Sequence, residues 1–278
     1  MYIKVCQTKS NFQNEFIIIY NNQLVFLAGT PWMNLSLPFR LEESRPNIMT
    51  DMSGRLVLFS HFAETPGSQI IKGITNFGEF VSGGTQTGLF TTIHDVMGNG
   101  VGRFFHTSAF MDSRYIVECF GETITGFIKA AGRCKHISLY LNGLQIAQIV
   151  KPLSVRDNLD MYYIFLLDEF SRFAQIISFF TLYFDRREYG NNGIFSKQNR
   201  YQVEYSFNAN DKYYQPAWIR SNFDLQRVAP DYIELDQINE KSKKNRVRNC
   251  ILIVLAIIGG ILAHYFIVSF LTTLIPPS

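Results

Sequence analysis

From Cys250 to Ile275 the chain reads CILIVLAIIGGILAHYFIVSFLTTLI, without a single Asp, Glu, Lys or Arg. A helix needs about 20 apolar residues to cross roughly 30 Å of hydrocarbon, so this run is long enough to span a bilayer. Sixteen of its positions are Ile, Leu, Val or Phe. Each contributes roughly −0.3 to −0.6 kcal/mol at a helix centre, on the order of −5 to −8 kcal/mol in sum. That outweighs His264 and the pair Gly259–Gly260, and a transmembrane helix over 250–275 is predicted. Lys241, Lys243, Lys244, Arg246 and Arg248 precede the span, which places the preceding body in the cytoplasm by the positive-inside rule. MYIKVCQTKSNFQNEF has no apolar core of signal-peptide type. The expectation is a tail-anchored, single-pass protein with a cytoplasmic body.

Mean hydropathy of +0.02 is the average of two unlike parts. With 47% hydrophobic and only 18% charged residues, the chain lacks the low hydrophobicity and high charge of a disordered polypeptide. Residues 1–196 carry 16 Lys and Arg against 16 Asp and Glu, and residues 197–278 carry 10 against 7, so the net +3 lies in the second part. A nucleic-acid-binding domain would carry a basic stripe on its folded body, and this body has none. Cys6, Cys119, Cys134 and Cys250 form no CxxC and suit a reducing compartment, where free Cys behaves as a small hydrophobe.

Residues 1–167 read as successive hairpins. Phe16–Tyr20 and Gln23–Ala28 flank Asn21–Asn22; Asn47–Asp51 and Arg55–Phe59 flank Met52–Ser53–Gly54; Leu89–Val96 and Val101–Phe105 flank residues 97–100. Tyr115–Phe120 and Thr123–Lys129 flank Gly121–Glu122. HISLYLNGLQIAQIV centres on Asn142–Gly143, a pair that favours the positive φ angles of a type I′ turn. Met161–Leu167 is a further β-prone run. Many short strands at regular spacing indicate a sandwich or barrel.

The period then changes. DEFSRFAQIISFFTLYFDRREYG opens on acidic Asp168 and Glu169 and closes on basic Arg186 and Arg187 before Gly190, as helix termini do. Ser171, Gln175, Ser178, Thr181 and Asp185 fall on one narrow stripe, and the rest of the circumference is apolar but for Arg172. Such a helix is buried in protein or embedded in lipid. Its charge-free stretch Phe173–Phe184 is about 18 Å long, too short for a bilayer. A helix through a protein core fits it better than a re-entrant membrane helix.

LYLNGLQIAQIVKPL followed by DMYYIFLLDEFSRFAQIISFFTLYFDRR resembles the last strands and central helix of the tubby C-terminal-like superfamily. That group contains tubby domains, phospholipid scramblases and LURP-one-related proteins. The resemblance covers residues 1–190 through order, spacing and hydrophobic pattern rather than an invariant motif. It implies a mainly β (α+β) fold, a closed hairpin-built barrel around one helix at about 169–188. Residues 191–249 are then a polar, aromatic linker. Tubby domains bind phosphoinositides through basic residues on the barrel; the nearest local group here is Lys129, Arg133 and Lys135. Scramblases also pair the domain with a C-terminal hydrophobic segment. Their Pro-rich N-terminal region and acidic calcium-binding segment are not seen in this chain.

Little points to catalysis. No His pair has HxH or HxxxH spacing, so no metal site is expected. Gly83–Gly88 lacks the Lys-Ser/Thr of a phosphate loop, no GxSxG occurs, and Asn34–Leu35–Ser36 is a sequon by composition alone. The expectation is a cytoplasmic barrel without catalysis or cofactor, serving as a lipid- or protein-binding module on a membrane anchor. Its partners would be the bilayer and anionic lipids or a membrane protein. Lys241, Lys243, Lys244, Arg246 and Arg248 are the candidate headgroup contacts, at about 1 kcal/mol per charge. The alternative is a scramblase-like protein that moves lipid.

Overall fold

The computed structural model describes residues 1–10, 14–30, 46–62, 90–109, 112–154, 159–189, 204–206 and 209–274. Twelve antiparallel strands form a closed barrel in which every strand pairs with its neighbours in sequence and β12 returns to pair with β1. They are β1 (Tyr2–Ser10), β2 (Asn14–Tyr20), β3 (Gln23–Gly29), β4 (Ile48–Asp51), β5 (Leu56–Phe62) and β6 (Thr91–Asp95). The remainder are β7 (Gly100–Ala109), β8 (Asp112–Cys119), β9 (Glu122–Gly132), β10 (Cys134–Leu141), β11 (Leu144–Pro152) and β12 (Met161–Leu166). The closing register sets Tyr2 opposite Phe165 and Lys4 opposite Tyr163. A two-residue strand, β13 (Glu204–Tyr205), pairs with the end of β9.

The tight turns obey local chemistry. Asn21 and Asn22 (φ 46° and 69°) and Asn142 and Gly143 (φ 51° and 81°) take the left-handed pairs of type I′ hairpins. Asp51 accepts the backbone N–H groups of Ser53 and Arg55, and Asp95 those of Met97 and Asn99. One expected turn is shifted by a residue. It falls on Phe120–Gly121 rather than Gly121–Glu122, which puts a bulky Phe at φ 52°.

Because the strands alternate in direction, the turns after even-numbered strands gather at one end of the barrel, here the turn end. The connections after odd-numbered strands leave from the other, the far end. After β12 a 3₁₀ turn (Asp168–Phe173) at the turn end leads into α1 (Ala174–Tyr189). One hydrophobic cluster joins α1 to side chains from all twelve strands. Phe180 meets Phe104 of β7 and Tyr115 of β8 edge-on at 5.5 and 5.6 Å; Phe184 meets Tyr115 and Tyr162 of β12. The polar stripe of α1 is satisfied in place: Ser178 bonds to the Ala174 carbonyl and to Tyr20, and Thr181 to the Ile177 carbonyl. Seven apolar side chains of this segment (Phe173, Ile176, Ile177, Phe179, Phe180, Leu182 and Phe184) are buried. At about 1.5–3 kcal/mol each, they contribute on the order of 10–20 kcal/mol before the entropy of ordering them.

β12 reads MYYIFL without alternation because both of its faces are covered. Tyr162, Ile164 and Leu166 join the α1 cluster, while Tyr163 and Phe165 join a second one. There Tyr2, Cys134 and Val150 meet α2 (Trp218–Asn222), α3 (Leu225–Val228) and the first turns of α4 (Pro230–Leu274). α4 is one continuous helix. Its start lies against the barrel wall: Asp231 accepts from Tyr2 Oη and Lys4 Nζ, both at 3.0 Å, and the Tyr232 ring packs on Tyr163 and Phe165. Two turns later Asn239 Oδ1 accepts the backbone N–H of Arg133 at 2.8 Å. Arg133 joins β9 to β10, so α4 climbs the wall towards the far end. Residues 247–267 of the helix are exposed throughout.

Candidate functional site: a charged layer at the far end

The last turn of α1 delivers Asp185, Arg186, Arg187 and Glu188 to the far end, where the apolar cluster gives way to charge. Four strands supply their partners. β11 carries Lys151, whose stem lies along the apolar wall and whose Nζ comes within 2.5 Å of Asp160 Oδ1. Both residues are buried. Asp160 precedes β12 and is fixed by Gln7, whose backbone N–H donates to the Asp160 carbonyl and whose Oε1 accepts the Asp160 N–H. Tyr162 of β12 donates its hydroxyl to Asp185 Oδ1 at 2.5 Å. On β10, Lys135 lies opposite Lys151 in register and approaches Glu188 at 3.6 Å; the Tyr189 ring sits beneath both ammonium groups, 4.0 Å from Lys151. Tyr115 of β8 donates to Glu188 Oε1 at 2.5 Å.

The electrostatics follow from burial. Desolvation, then the neighbouring Asp160 charge, pushes the Asp185 carboxyl up from 3.8 to about 7, against the pull of Tyr162 and Lys151. Near neutrality the Asp185 carboxyl is therefore poised between its protonated and ionised forms. Burial, then Arg187, lowers His106 to about 4; its Nε2 bonds to Ser113 at 2.7 Å and its Nδ1 faces Arg187 Nη2 at 3.0 Å. The layer can hold and exchange a proton and can balance an approaching charge. Among the described residues no group of His, Cys, Asp and Glu is arranged to hold a metal ion.

The basic residues singled out from sequence are spread across different settings. Lys129 and Lys135 sit on opposite faces of the wall. Lys129 Nζ pairs with Asp211 at 2.6 Å and with the Ser206 carbonyl outside, whereas Lys135 joins the layer. Arg133 lies at the rim beneath Asn239. Of the α4 group, Lys241, Lys244 and Arg248 are exposed and Arg246 is half-buried, while Lys243 is half-buried and held by Tyr214 Oη at 3.2 Å and by Glu240 of the same helix at 2.9 Å. Gly83–Gly88 and Asn34–Leu35–Ser36 lie outside the described residues. Sequence reading missed Lys151, Asp160 and Tyr162. The available signals were a Lys closing the run IAQIV and an Asp directly before the apolar run MYYIFL.

At the turn end an open cleft of about 590 Å³ is lined by Phe90, His94, Arg103, Glu118 and Phe120. Arg103 and Glu118 are ion-paired across it. All four thiols are free; burial pushes Cys119 and Cys134 up to about 12, so neither is a thiolate near neutrality.

Neither protein-family models, curated proteins nor solved structures yield a match to this chain. One helix of the described residues, α4, is long and apolar enough to cross a membrane.

Proposed function

We propose that this chain is a single-pass membrane protein that holds a barrel of tubby-like type at the cytoplasmic surface of a bilayer as a non-catalytic, lipid-binding module. The observation that carries the reading is α4: its first turns are packed into the barrel wall and its exposed, apolar remainder is long enough to span hydrocarbon. In this reading α1 runs along the barrel interior. Its membership of one cluster with all twelve strands supports that placement. The order of strands followed by one apolar helix supports the tubby-like assignment, and the basic flank of the span supports the cytoplasmic side. The lipid-moving alternative needs the 170–187 helix in the bilayer, and the burial of its apolar face against the strands speaks against it.

The test is reconstitution of the full chain into vesicles of phosphatidylcholine with phosphatidylserine, carrying a fluorescent lipid in both leaflets. A binding module co-floats with the vesicles and leaves only the outer-leaflet probe open to a membrane-impermeant reductant. Bleaching of both leaflets would establish lipid movement and overturn the reading.

A further inference from the structure

The membrane reading above is the premise here. We infer that α4 fixes the barrel end-on to the bilayer, so that the far end, with its layer of Lys135, Lys151, Asp160, Asp185 and Glu188 around the end of α1, faces an anionic lipid surface. Three observations carry this. First, α4 is anchored at two heights on the wall, by Asp231 and Tyr232 lower down and by Asn239 at the rim, and the sequence of contacts runs towards the far end. The joint at the rim is close: Gly132 has φ +79°, and a Cβ there would lie 2.5 Å from Asn239 Oδ1. A helix held at two heights and continuous to Leu274 cannot swing like a tether.

Second, the lengths match. Cys250 lies 250 − 239 = 11 residues beyond the rim contact, or about 16 Å of helix. The headgroup layer takes up roughly 5–7 Å of that. The far end is left about 10 Å from the headgroups, near one Debye length, where opposite charges still attract. The turn end is farther. β1 from Lys9 to Tyr2 spans seven residue steps, about 23 Å along the strand and roughly 18 Å along the axis of a tilted barrel.

Third, the charge is polarised along that axis. The far-end layer together with Arg186 and Arg187 holds four cationic side chains against three carboxyl groups. Among the described residues at the turn end, Asp51, Asp95, Glu118, Glu122, Asp168 and Glu169 outnumber Arg55, Arg103, Arg172 and the N-terminal ammonium group of Met1. An anionic surface therefore attracts the end that α4 presents and repels the other.

The test uses the full chain in vesicles, with Cys6 and Cys250 replaced by Ser and a fluorophore placed at Lys9→Cys on the far rim or Met97→Cys at the turn end. Both positions are exposed, and lipids carrying a nitroxide on the headgroup serve as a short-range quencher. The label at position 9 loses severalfold more emission than the label at position 97, and its loss shrinks when phosphatidylserine is left out. Equal quenching at both positions, or more at 97, overturns the end-on arrangement. Quenching at 9 that is indifferent to phosphatidylserine overturns the anionic partner. Failure of the chain to float with the vesicles refutes the membrane reading itself and the inference with it.

Discussion

Asp185→Asn is expected to stabilise the barrel above neutral pH and to leave it nearly unchanged in acid. Asp185 is buried, accepts the Tyr162 hydroxyl at 2.5 Å, and has its carboxyl raised from 3.8 to about 7 by desolvation and by Asp160. Because the folded value is the higher one, its contribution to stability is fully present below about pH 4, where both states are protonated. It is lost as pH rises towards 7, because the unfolded chain releases the proton before the folded one does. Three pH units at 1.36 kcal/mol each give on the order of 4 kcal/mol. A gain of about 2–4 kcal/mol is therefore expected for the variant at pH 8. Asn keeps an acceptor for Tyr162 and offers an N–H towards Asp160 in place of the acid proton, which is why little changes at pH 4. The assay is chemical denaturation of the full chain in mild detergent at a series of pH values, followed by the near-ultraviolet signal of the aromatic core. A difference between variant and parent that is independent of pH, or a parent more stable than the variant at pH 8, would refute the reasoning.

Four further outcomes are expected. Asn239→Ala leaves the Arg133 N–H without its partner and costs about 1–3 kcal/mol; Gly132→Ala displaces the same amide, so the two substitutions together cost less than their sum in the same denaturation assay. Phe180→Ala removes a ring packed on Phe104 and Tyr115, and a loss of about 3–5 kcal/mol is expected by denaturant midpoint. Phe120→Gly relieves a left-handed backbone at an exposed position and should change stability by less than about 1 kcal/mol in either direction, because the contact with Phe173 is lost at the same time. Leu255→Arg combined with Ile258→Arg adds roughly 6–8 kcal/mol to insertion, enough to cancel the apolar gain, so the doubly substituted chain should stay in the supernatant on flotation.

What the sequence disclosed follows the range of the interactions involved. Asn21–Asn22 and Asn142–Gly143 were legible because a two-residue turn depends on its own φ angles. The turn at Phe120–Gly121 lies one residue before the sequence expectation because only the register of β8 against β9, with Cys119 opposite Glu122, decides which pair turns. The apolar circumference of the α1 segment signals a buried helix, and its side chains from Phe173 to Phe184 are largely buried. The closure of β12 on β1 joins residues more than 150 positions apart, and no local signal reports it. The same distance hid the charged layer. Lys129 and Lys135 are neighbours in sequence, yet the hairpin between them turns one outward to Asp211 and the other towards Glu188. Lys151, Asp160 and Asp185 meet only once β11, β12 and α1 are assembled. MYYIFL did carry a sign of the second covering layer, since a strand with one solvent-facing side alternates and this one does not.

In the proposed function one helix, α4, belongs to the barrel wall at its start and to a bilayer at its end. Nitroxide labels placed singly from 232 to 267 in the vesicle-embedded full chain test it most directly, by comparing collision with oxygen, which concentrates in hydrocarbon, against collision with a water-soluble quencher. The expected profile is immobile and protected at 232 and 239, water-exposed at 244 and 248, then increasingly oxygen-accessible from 251 towards 262. Water exposure continuing through 251–267 would contradict the claim.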